Sequence, residues 1–469
     1  MNNDTPIIYL FRRDLRLGDH VGLSEASGLG RPIIPVFILD EIFQNYGAAP
    51  QWRLGLALTS FTETLANISS KLTLRRGNSL SVISEIIKET GANEVHWTRA
   101  YDPAAISRDK IIKTELELKG LKVKSHQGHL LFEPWTVKTK VGGFYKVYTP
   151  YWNSVRDRYI APELPKVEKL RPPKLWPKSD ELLSWGLAFK MNRGADIVFK
   201  HTCVGEDKAK DRLQEFISDR VMLYNSSRDF PSKKGTSGLS ENLTYGEISI
   251  RSCWIAAHES FLKGNEEAEV FLKELVWREF SYHLAYYTPH ILDRNWRDGW
   301  DKFPWSDSSE SSDAWCRGKT GVELVDAAMR EMYVTGTMHN RGRMIVASYL
   351  TKHLMTHWKV GAGWFSECLI DWDPAANAMG WQWAAGSGPD ASPYFRIFNP
   401  DSQAERFDKN CEYRIKFLAE VYSDGGQEGI DYFRAIPREW NLTIKDSYPQ
   451  PSISLADGRA KSLHAYSNK

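Results

Sequence analysis

The sequence lacks the features that mark the simplest classes of protein. No apolar run approaches the roughly 18 residues needed to cross a bilayer. The opening residues, Met-Asn-Asn-Asp-Thr-Pro, carry no basic flank of the kind that precedes a secretory signal. Both absences lead to the expectation of a cytoplasmic protein. Cysteine is scarce: Cys203, Cys253, Cys316, Cys368 and Cys411 are scattered, and no two have the spacing of a zinc or iron–sulfur site. An odd count also argues against a disulfide framework, so buried thiols and no metal are expected. No G-x-G-x-x-G follows the first apolar run, which argues against an ordinary dinucleotide-binding dehydrogenase. Phe11-Arg12-Arg13-Asp14-Leu15-Arg16 stands there instead. Internal repeats and low-complexity tracts are absent. Net charge is nearly absent too, with 61 Lys and Arg against 59 Asp and Glu.

What is present fits a large globular chain. Its 469 residues are 42% hydrophobic and 26% charged. A chain of that length hides roughly three quarters of its unfolded surface, enough for two domains. Charge is unevenly spread. Val137–Lys178 holds ten Lys or Arg against three Asp or Glu, a local +7 balanced by −5 elsewhere. A solvated linker and a surface facing an anionic partner both fit that stretch. Tryptophan is abundant, at 18 residues. Core filling is the default use of each one, but the number raises the question of redox or stacking work.

Five short Ile/Val/Leu-rich runs read as buried strands: Pro6–Phe11, Pro32–Leu39, Leu72–Arg76, Glu94–Tyr101 and Leu121–Ser125. Between them Trp52–Ser70, Leu80–Thr90 and Pro103–Lys119 have helical apolar spacing. That alternation predicts an α/β domain with a doubly wound parallel sheet over 1–132. A basic, proline-rich connection follows over 133–205. From there to 450 the pattern is helical, broken by loops at Asp229–Ser240, Trp296–Ser312 and Gly386–Pro400. This predicts a larger all-α domain, with 451–469 as a polar tail.

Four constellations carry chemical potential. On a helix through Thr337–Trp358, Asn340, Arg343, Met344 and Ala347 share one face. An amide, a guanidinium and a thioether suit a cavity wall for a polar aromatic ligand better than an apolar core. Gly342 in mid-helix costs about 1 kcal/mol relative to alanine, and nothing in the sequence explains it. Trp358, eighteen residues past Asn340, is expected on the same face. The second constellation is Asp371-Trp372-Asp373-Pro374-Ala375-Ala376-Asn377 followed by Trp381-Gln382-Trp383. It reads either as a binding site for a polar heteroaromatic or as an acidic loop before core aromatics, with Asp371 a candidate partner for Arg343. Third, Tyr224 and the hydroxyl-rich Thr236-Ser237-Gly238-Leu239-Ser240 offer O–H and N–H donors to a phosphate, or simple caps. Fourth, Glu274, Trp277 and Arg278 place a carboxylate, an aromatic ring and a cation on one helical face.

In this order these elements resemble the photolyase/cryptochrome family of blue-light flavoproteins. The resemblance runs from Arg12-Arg13-Asp14-Leu15-Arg16 through Trp315, Gly318-Lys319-Thr320-Gly321, Val325-Asp326-Ala327-Ala328-Met329-Arg330, His339-Asn340-Arg341 and Trp381-Gln382-Trp383 to Pro393-Tyr394-Phe395-Arg396-Ile397-Phe398-Asn399-Pro400. It implies an antenna-type α/β domain and an FAD-binding helical domain. Tyr224 and Thr236–Ser240 would hold the FAD phosphates. Phe271 stands where bacterial relatives often have tryptophan. Arg278, Arg343, Asp371, Trp372 and Asp373 would line the flavin, and Asn377 would sit beside its N5. Asparagine there resembles photolyases, whereas plant cryptochromes carry aspartate and animal ones cysteine. Trp381, Trp358 and Trp305 match the family's electron-transfer chain.

On the substrate side the resemblance implies light-dependent repair of cyclobutane pyrimidine dimers in UV-damaged DNA, with no obligate protein partner. Glu274 and Asn340 would bond the pyrimidine edges, Trp277 and Trp383 would form an apolar wedge, and Met344 would pack on the dimer. Arg228, Arg341, Arg396 and Arg406 match positions that grip DNA phosphates. Six-four photolyases place histidines where Asn340 and Met344 stand. A second chromophore, folate or deazaflavin, is a further expectation. Ala104 and Ala105 replace the asparagine–glutamate pair of folate-binding bacterial relatives, leaving its identity open. The alternative is a cryptochrome-type photoreceptor without repair activity.

Overall fold

A computed structural model of the chain describes residues 4–191, 194–390 and 395–469. Pro393 and Tyr394 of the expected motif lie outside the described residues. The apolar runs become five strands, β1 (Ile7–Phe11), β2 (Ile33–Leu39), β3 (Thr73–Arg76), β4 (Glu94–Thr98) and β5 (Lys122–His126). They form a parallel sheet in the order β3-β2-β1-β4-β5. β1, β2 and β4 are buried along their whole length, as continuous hydrophobic strands covered on both faces must be. Helices α1 (Val21–Gly28), α2 (Ala48–Asn67), α3 (Ser79–Thr90) and α4 (Pro103–Leu118) connect them. The start and stop signals act locally. Asn78 caps α3 and a left-handed Gly91 ends it, while Asp102 caps α4 with Pro103 in its first turn. Helix α1 was not expected, because only Gly22, Leu23 and Ala26 are buried in it and the apolar stripe is too short to show a period.

The strand order reverses between β1 and β4, and such switch points are where α/β sheets place functional crevices. Arg12–Leu17 leave the carboxyl end of β1 at that point.

The proline-rich connection is ordered and divided between the two cores. Helix α5 (Tyr148–Val155) buries Tyr148, Tyr151, Trp152 and Val155 in the helical core. Val167, Leu170, Trp185 and Leu187 pack instead with the sheet domain. The principal helices beyond are α6 (Glu206–Glu215), α7 (Ser240–Tyr245), α8 (Ile250–Leu262), α9 (Glu267–Tyr287), α10 (Glu323–Thr335), α11 (Asn340–Ser348), α12 (Trp358–Cys368), α13 (Pro374–Ala385), α14 (Pro400–Phe407) and α15 (Leu455–Ser467).

Two expectations change here. Asn340 and Trp358 do not share a helix. α11 ends at Ser348, residues 349–353 form one wide π turn, Met355 adopts a left-handed φ of 52°, and His357 caps the new helix that Trp358 opens. The break is imposed by tertiary pairing, a bridge between Thr356 and Ser306, rather than by a local glycine or proline. The polar tail also folds. Within it α15 buries Gly458 and Ser462, and Gly458 lies so close to His353 that a Cβ would stand 3.0 Å from its Cα. Gly342 now has a physical role. A Cβ there would come within 3.1 Å of Ala328 on α10, so its absence lets α10 and α11 pack closely. Among the described residues no helix is long and apolar enough to cross a membrane, and no cluster of His, Cys, Asp or Glu is placed to hold a metal ion.

Candidate flavin and DNA site

Three helices carry most of the residues of interest, with α13 packed between the other two. α13 contacts both α9 and α11. α9 carries Phe271, Glu274, Trp277 and Arg278; α11 carries Asn340, Arg343 and Met344; α13 carries Asn377, Trp381 and Trp383.

Arg343 and Asp371 form the expected pair. One guanidinium nitrogen donates to both carboxylate oxygens at 3.0 and 2.7 Å, and Nε donates to the Met338 carbonyl at 2.8 Å. The Asp371 side chain is almost wholly buried while Arg343 keeps 30% of its surface. The pair is therefore fixed from the core side and presents the cation outward, in surroundings where a charge-assisted bond is stronger than in water.

Asp373 caps α13 by accepting from the backbone N–H of Ala375 and Ala376 at 3.1 and 2.9 Å. Its other oxygen accepts from Arg13 at 2.6 Å and from the Tyr282 hydroxyl. Burial alone would raise this carboxyl, but Arg13, Arg278 and the capped N–H groups hold it below the usual carboxylate range. Arg13 also donates to the Thr244 carbonyl at 2.7 Å and to Tyr282 at 2.9 Å. The loop after β1 is thus built into the helical domain's site.

The remaining expected flavin residues divide. Tyr224 and Phe271 meet edge-on at 5.6 Å, both buried. Arg220 and Arg212 take the carbonyls of Thr236 and Gly238 at 3.1 and 2.6 Å, leaving the loop to offer N–H and O–H donors. Asn377 donates to the Ala362 carbonyl at 3.1 Å. Two residues engage the α/β domain instead. Trp372 packs edge-on against Tyr46 at 5.3 Å. Arg278 donates to the His129 carbonyl at 2.9 Å and lies 3.1 Å from its ring, which burial and neighbouring arginines keep neutral. The donor set suits FAD: a guanidinium paired to a carboxylate for a heteroaromatic ring, and a loop of Thr and Ser hydroxyls for phosphates, its carbonyls at Thr236 and Gly238 already taken by arginines.

On the outer side Arg228 binds Glu274 at 2.6 Å and Arg341 binds Asp229 at 2.6 Å. Arg341 and Arg406 both lie over the Phe407 ring, at 4.2 and 4.9 Å. Arg396 is exposed and sits over Phe398, which contacts Trp383 at 6.4 Å. The Asn340 amide reaches the Met344 sulfur at 3.9 Å. Trp277 is covered on one face by Tyr148, stacked at 3.7 Å and 5°.

Of the three tryptophans of the expected chain, Trp358 and Trp305 are joined through the His357 ring, while the Trp381 ring meets Trp315 and Phe365. Trp381 is buried and packs on Gly361 of α12, the helix that Trp358 opens. Trp358 donates to Asn295 at 2.8 Å. The His357 ring lies between Trp358 at 5.6 Å and Trp305 at 5.1 Å. Trp305 is partly exposed and stacks on Trp300 at 5.4 Å.

Sequence reasoning missed Tyr148, Arg13, Tyr282 and Gly361. Tyr148 had a signal, since Tyr148, Tyr151 and Trp152 follow helical spacing inside the proline-rich stretch. Arg13 lay in a noted motif, but its carboxylate partner is 360 residues away.

Comparison with known proteins agrees with this geometry. Residues 7–171 match the family described as DNA photolyase, and residues 271–468 match the FAD binding domain of DNA photolyase. A deoxyribodipyrimidine photo-lyase of Agrobacterium fabrum is 41% identical, covering 98% of this chain and 97% of that protein. The crystal structure of a bacterial class III photolyase from Agrobacterium tumefaciens superposes with a TM-score of 0.90 at 38% identity, covering 99% and 97% of the two chains. Cryptochrome-2 of Arabidopsis thaliana is 33% identical, covering 90% of this chain and 71% of that one. With an FAD-binding helical domain behind a parallel-sheet domain, and relatives matched along nearly its whole length, the chain belongs to the DNA photolyase family.

Proposed function

We propose that this protein repairs UV-damaged DNA in light, splitting cyclobutane pyrimidine dimers. The observation that carries the reading is the shared wall formed by α11. Its first turns present Arg343, paired to Asp371, and Asn340 and Met344 beside it, with Glu274 and Trp277 on α9. Bound against this wall, reduced FAD supplies a light-driven electron.

The chain's own residues do the rest. Glu274 and Asn340 bond the pyrimidine edges, and Met344 with the rings of Trp277 and Trp383 gives the dimer an apolar seat. A damaged pair costs least to extrude from the stack, so the seat selects it. Arg228 exchanges Glu274 for a phosphate as DNA arrives, freeing the carboxylate for the lesion. Arg341, Arg396 and Arg406 position the backbone without reading sequence. Asp373, held ionised, fixes the first turn of α13 and so the placement of Asn377. Trp381, Trp358 and Trp305 carry electrons inward from the surface. Ala104 and Ala105 offer neither amide nor carboxylate to an antenna folate.

The test is incubation of dimer-containing DNA with the protein under blue light and in darkness. Loss of dimers only in light supports repair. Equal survival in both arms refutes it and favours a signalling role like that of cryptochromes.

A further inference from the structure

The excess positive charge of residues 137–178 is not used by the site described above. Lys138, Lys140 and Lys146 are exposed and have no acidic partner among the described residues. Lys138 precedes and Lys140 lies within a tight turn, closed by Thr139 N–H to the Gly143 carbonyl at 2.8 Å and by Gly142 N–H to the Thr139 carbonyl at 2.9 Å. The turn is held in register with α9 by its own aromatic residues. Phe144 stacks on Tyr287 at 4.9 Å and 8°, Tyr145 N–H donates to His283 at 3.1 Å, and Tyr148 stacks on Trp277. The segment therefore runs along α9 away from the dimer seat. Trp277 and Tyr287 are ten residues apart, which on a helix is about 15 Å.

The two sets of cations flank the seat from opposite directions. Arg228 is bound to Glu274, one turn before Trp277, and Arg341 pairs with its neighbour Asp229. The lysines lie beyond Trp277 toward the other end of α9. A B-DNA major groove is about 12 Å wide, close to the length of α9 between Trp277 and Tyr287, so a duplex laid along α9 with its damaged strand at Arg228 and Arg341 would bring its second backbone toward the lysines. Lysines without a counter-ion on an ordered segment, Lys146 lying over the Phe144 ring at 5.4 Å, suit sequence-independent phosphate contact.

We propose that Lys138, Lys140 and Lys146 form a second DNA-binding surface that takes the backbone of the undamaged strand. This rests on the repair reading and extends it to the form of the substrate. It makes the protein's grip on duplex DNA stronger and more salt-dependent than its grip on a single strand.

The test uses the FAD-loaded protein and a K138Q/K140Q/K146Q variant. Affinity is measured against salt for one dimer-containing oligonucleotide, presented as a single strand and as a duplex. The slope of log affinity against log salt on the duplex is expected to become shallower by up to about 2.7, at about 0.9 for each lost phosphate contact. Single-strand affinity and light-driven repair of the single strand stay at parental values. An unchanged duplex slope overturns the proposal. An equal loss on both substrates overturns it too, since it assigns the lysines to the damaged strand. A parent protein that ignores the dimer in both forms refutes the repair reading itself, and the second surface with it.

Discussion

Gly361 is the position where one added carbon should disturb electron supply most directly. It lies inside α12, where alanine normally gains about 1 kcal/mol over glycine. A Cβ there would stand 2.5 Å from Cζ2 and Cζ3 of the Trp381 indole, and closer still to Cη2. Ordinary contact begins near 3.4 Å, so the indole or the helix must shift by about 1 Å or more. Trp381 is 2% exposed, and its ring also abuts Phe365 at 5.0 Å and Trp315 at 5.9 Å, which leaves it no free direction. Overpacking of a tight core costs about 1–3 kcal/mol, which outweighs the helix gain. Gly363 provides an internal control. It lies on the same helix with nothing within 4 Å of its Cβ position. The assay is light-driven reduction of oxidised FAD in the bound protein, with thermal unfolding alongside. Gly361→Ala should unfold at a lower temperature than the parent and photoreduce more slowly, approaching Trp381→Phe, which should block photoreduction while keeping FAD bound. Gly363→Ala should be slightly stabilised and photoreduce normally. If Gly361→Ala gains stability like Gly363→Ala and photoreduces at the parental rate, the placement of Trp381 against α12 is wrong.

Three further outcomes follow from buried charges. Arg53 is fully buried and binds Glu241 at 3.0 Å and Glu247 at 3.0 and 2.6 Å. Arg53→Met leaves buried Glu247 without a counter-ion, Glu241 keeping Arg212 at 2.8 Å, and should cost about 3–5 kcal/mol; an unchanged unfolding transition would contradict this. Burial pushes the Glu279 carboxyl up to about 7 from its ordinary 4.5. The neutral form is the one the fold prefers, so this contribution is complete below pH 4.5 and is lost as pH rises through about 7. Glu279→Gln, which can still accept from the N–H groups of Leu131 and Phe132, should flatten the decline in stability between pH 5 and 8; a parallel profile would sink the assignment. Arg13→Gln removes the cation that helps hold Asp373 ionised, so FAD retention should become pH-dependent in the acid range where the parent's is flat. Identical release curves across pH for the two proteins would show that Asp373 does not depend on Arg13.

The sheet domain was legible in the sequence because its central strands β1, β2 and β4 are buried on both faces. β1 and β2 are continuous apolar runs, and the caps Asn78 and Asp102 mark where helices begin. The pairing of Arg343 with Asp371 was legible for a different reason: a guanidinium on a cavity-facing helical stripe and a carboxylate in the acidic stretch before α13 are natural partners. What escaped was set by distant contacts. The break before Trp358 depends on Thr356 pairing with Ser306, and Met355 gives no local sign of its left-handed backbone. Tyr148 was hidden by the prolines around it, which suggested a loose connection although its ring is locked on Trp277. The last helix was obscured by composition, since Ser462 and Gly458 are buried through close backbone approach rather than through an apolar stripe.

The central claim is that light moves an electron from the bound reduced flavin to a dimer seated on Glu274, Asn340 and Trp277. Time-resolved absorption of the reduced protein tests it directly, with matched oligonucleotides that contain or lack one dimer. The excited flavin should decay faster only with the dimer-containing strand, and intact pyrimidines should appear on the same flash. Equal decay with both strands, at concentrations where the damaged strand is demonstrably bound, would contradict it.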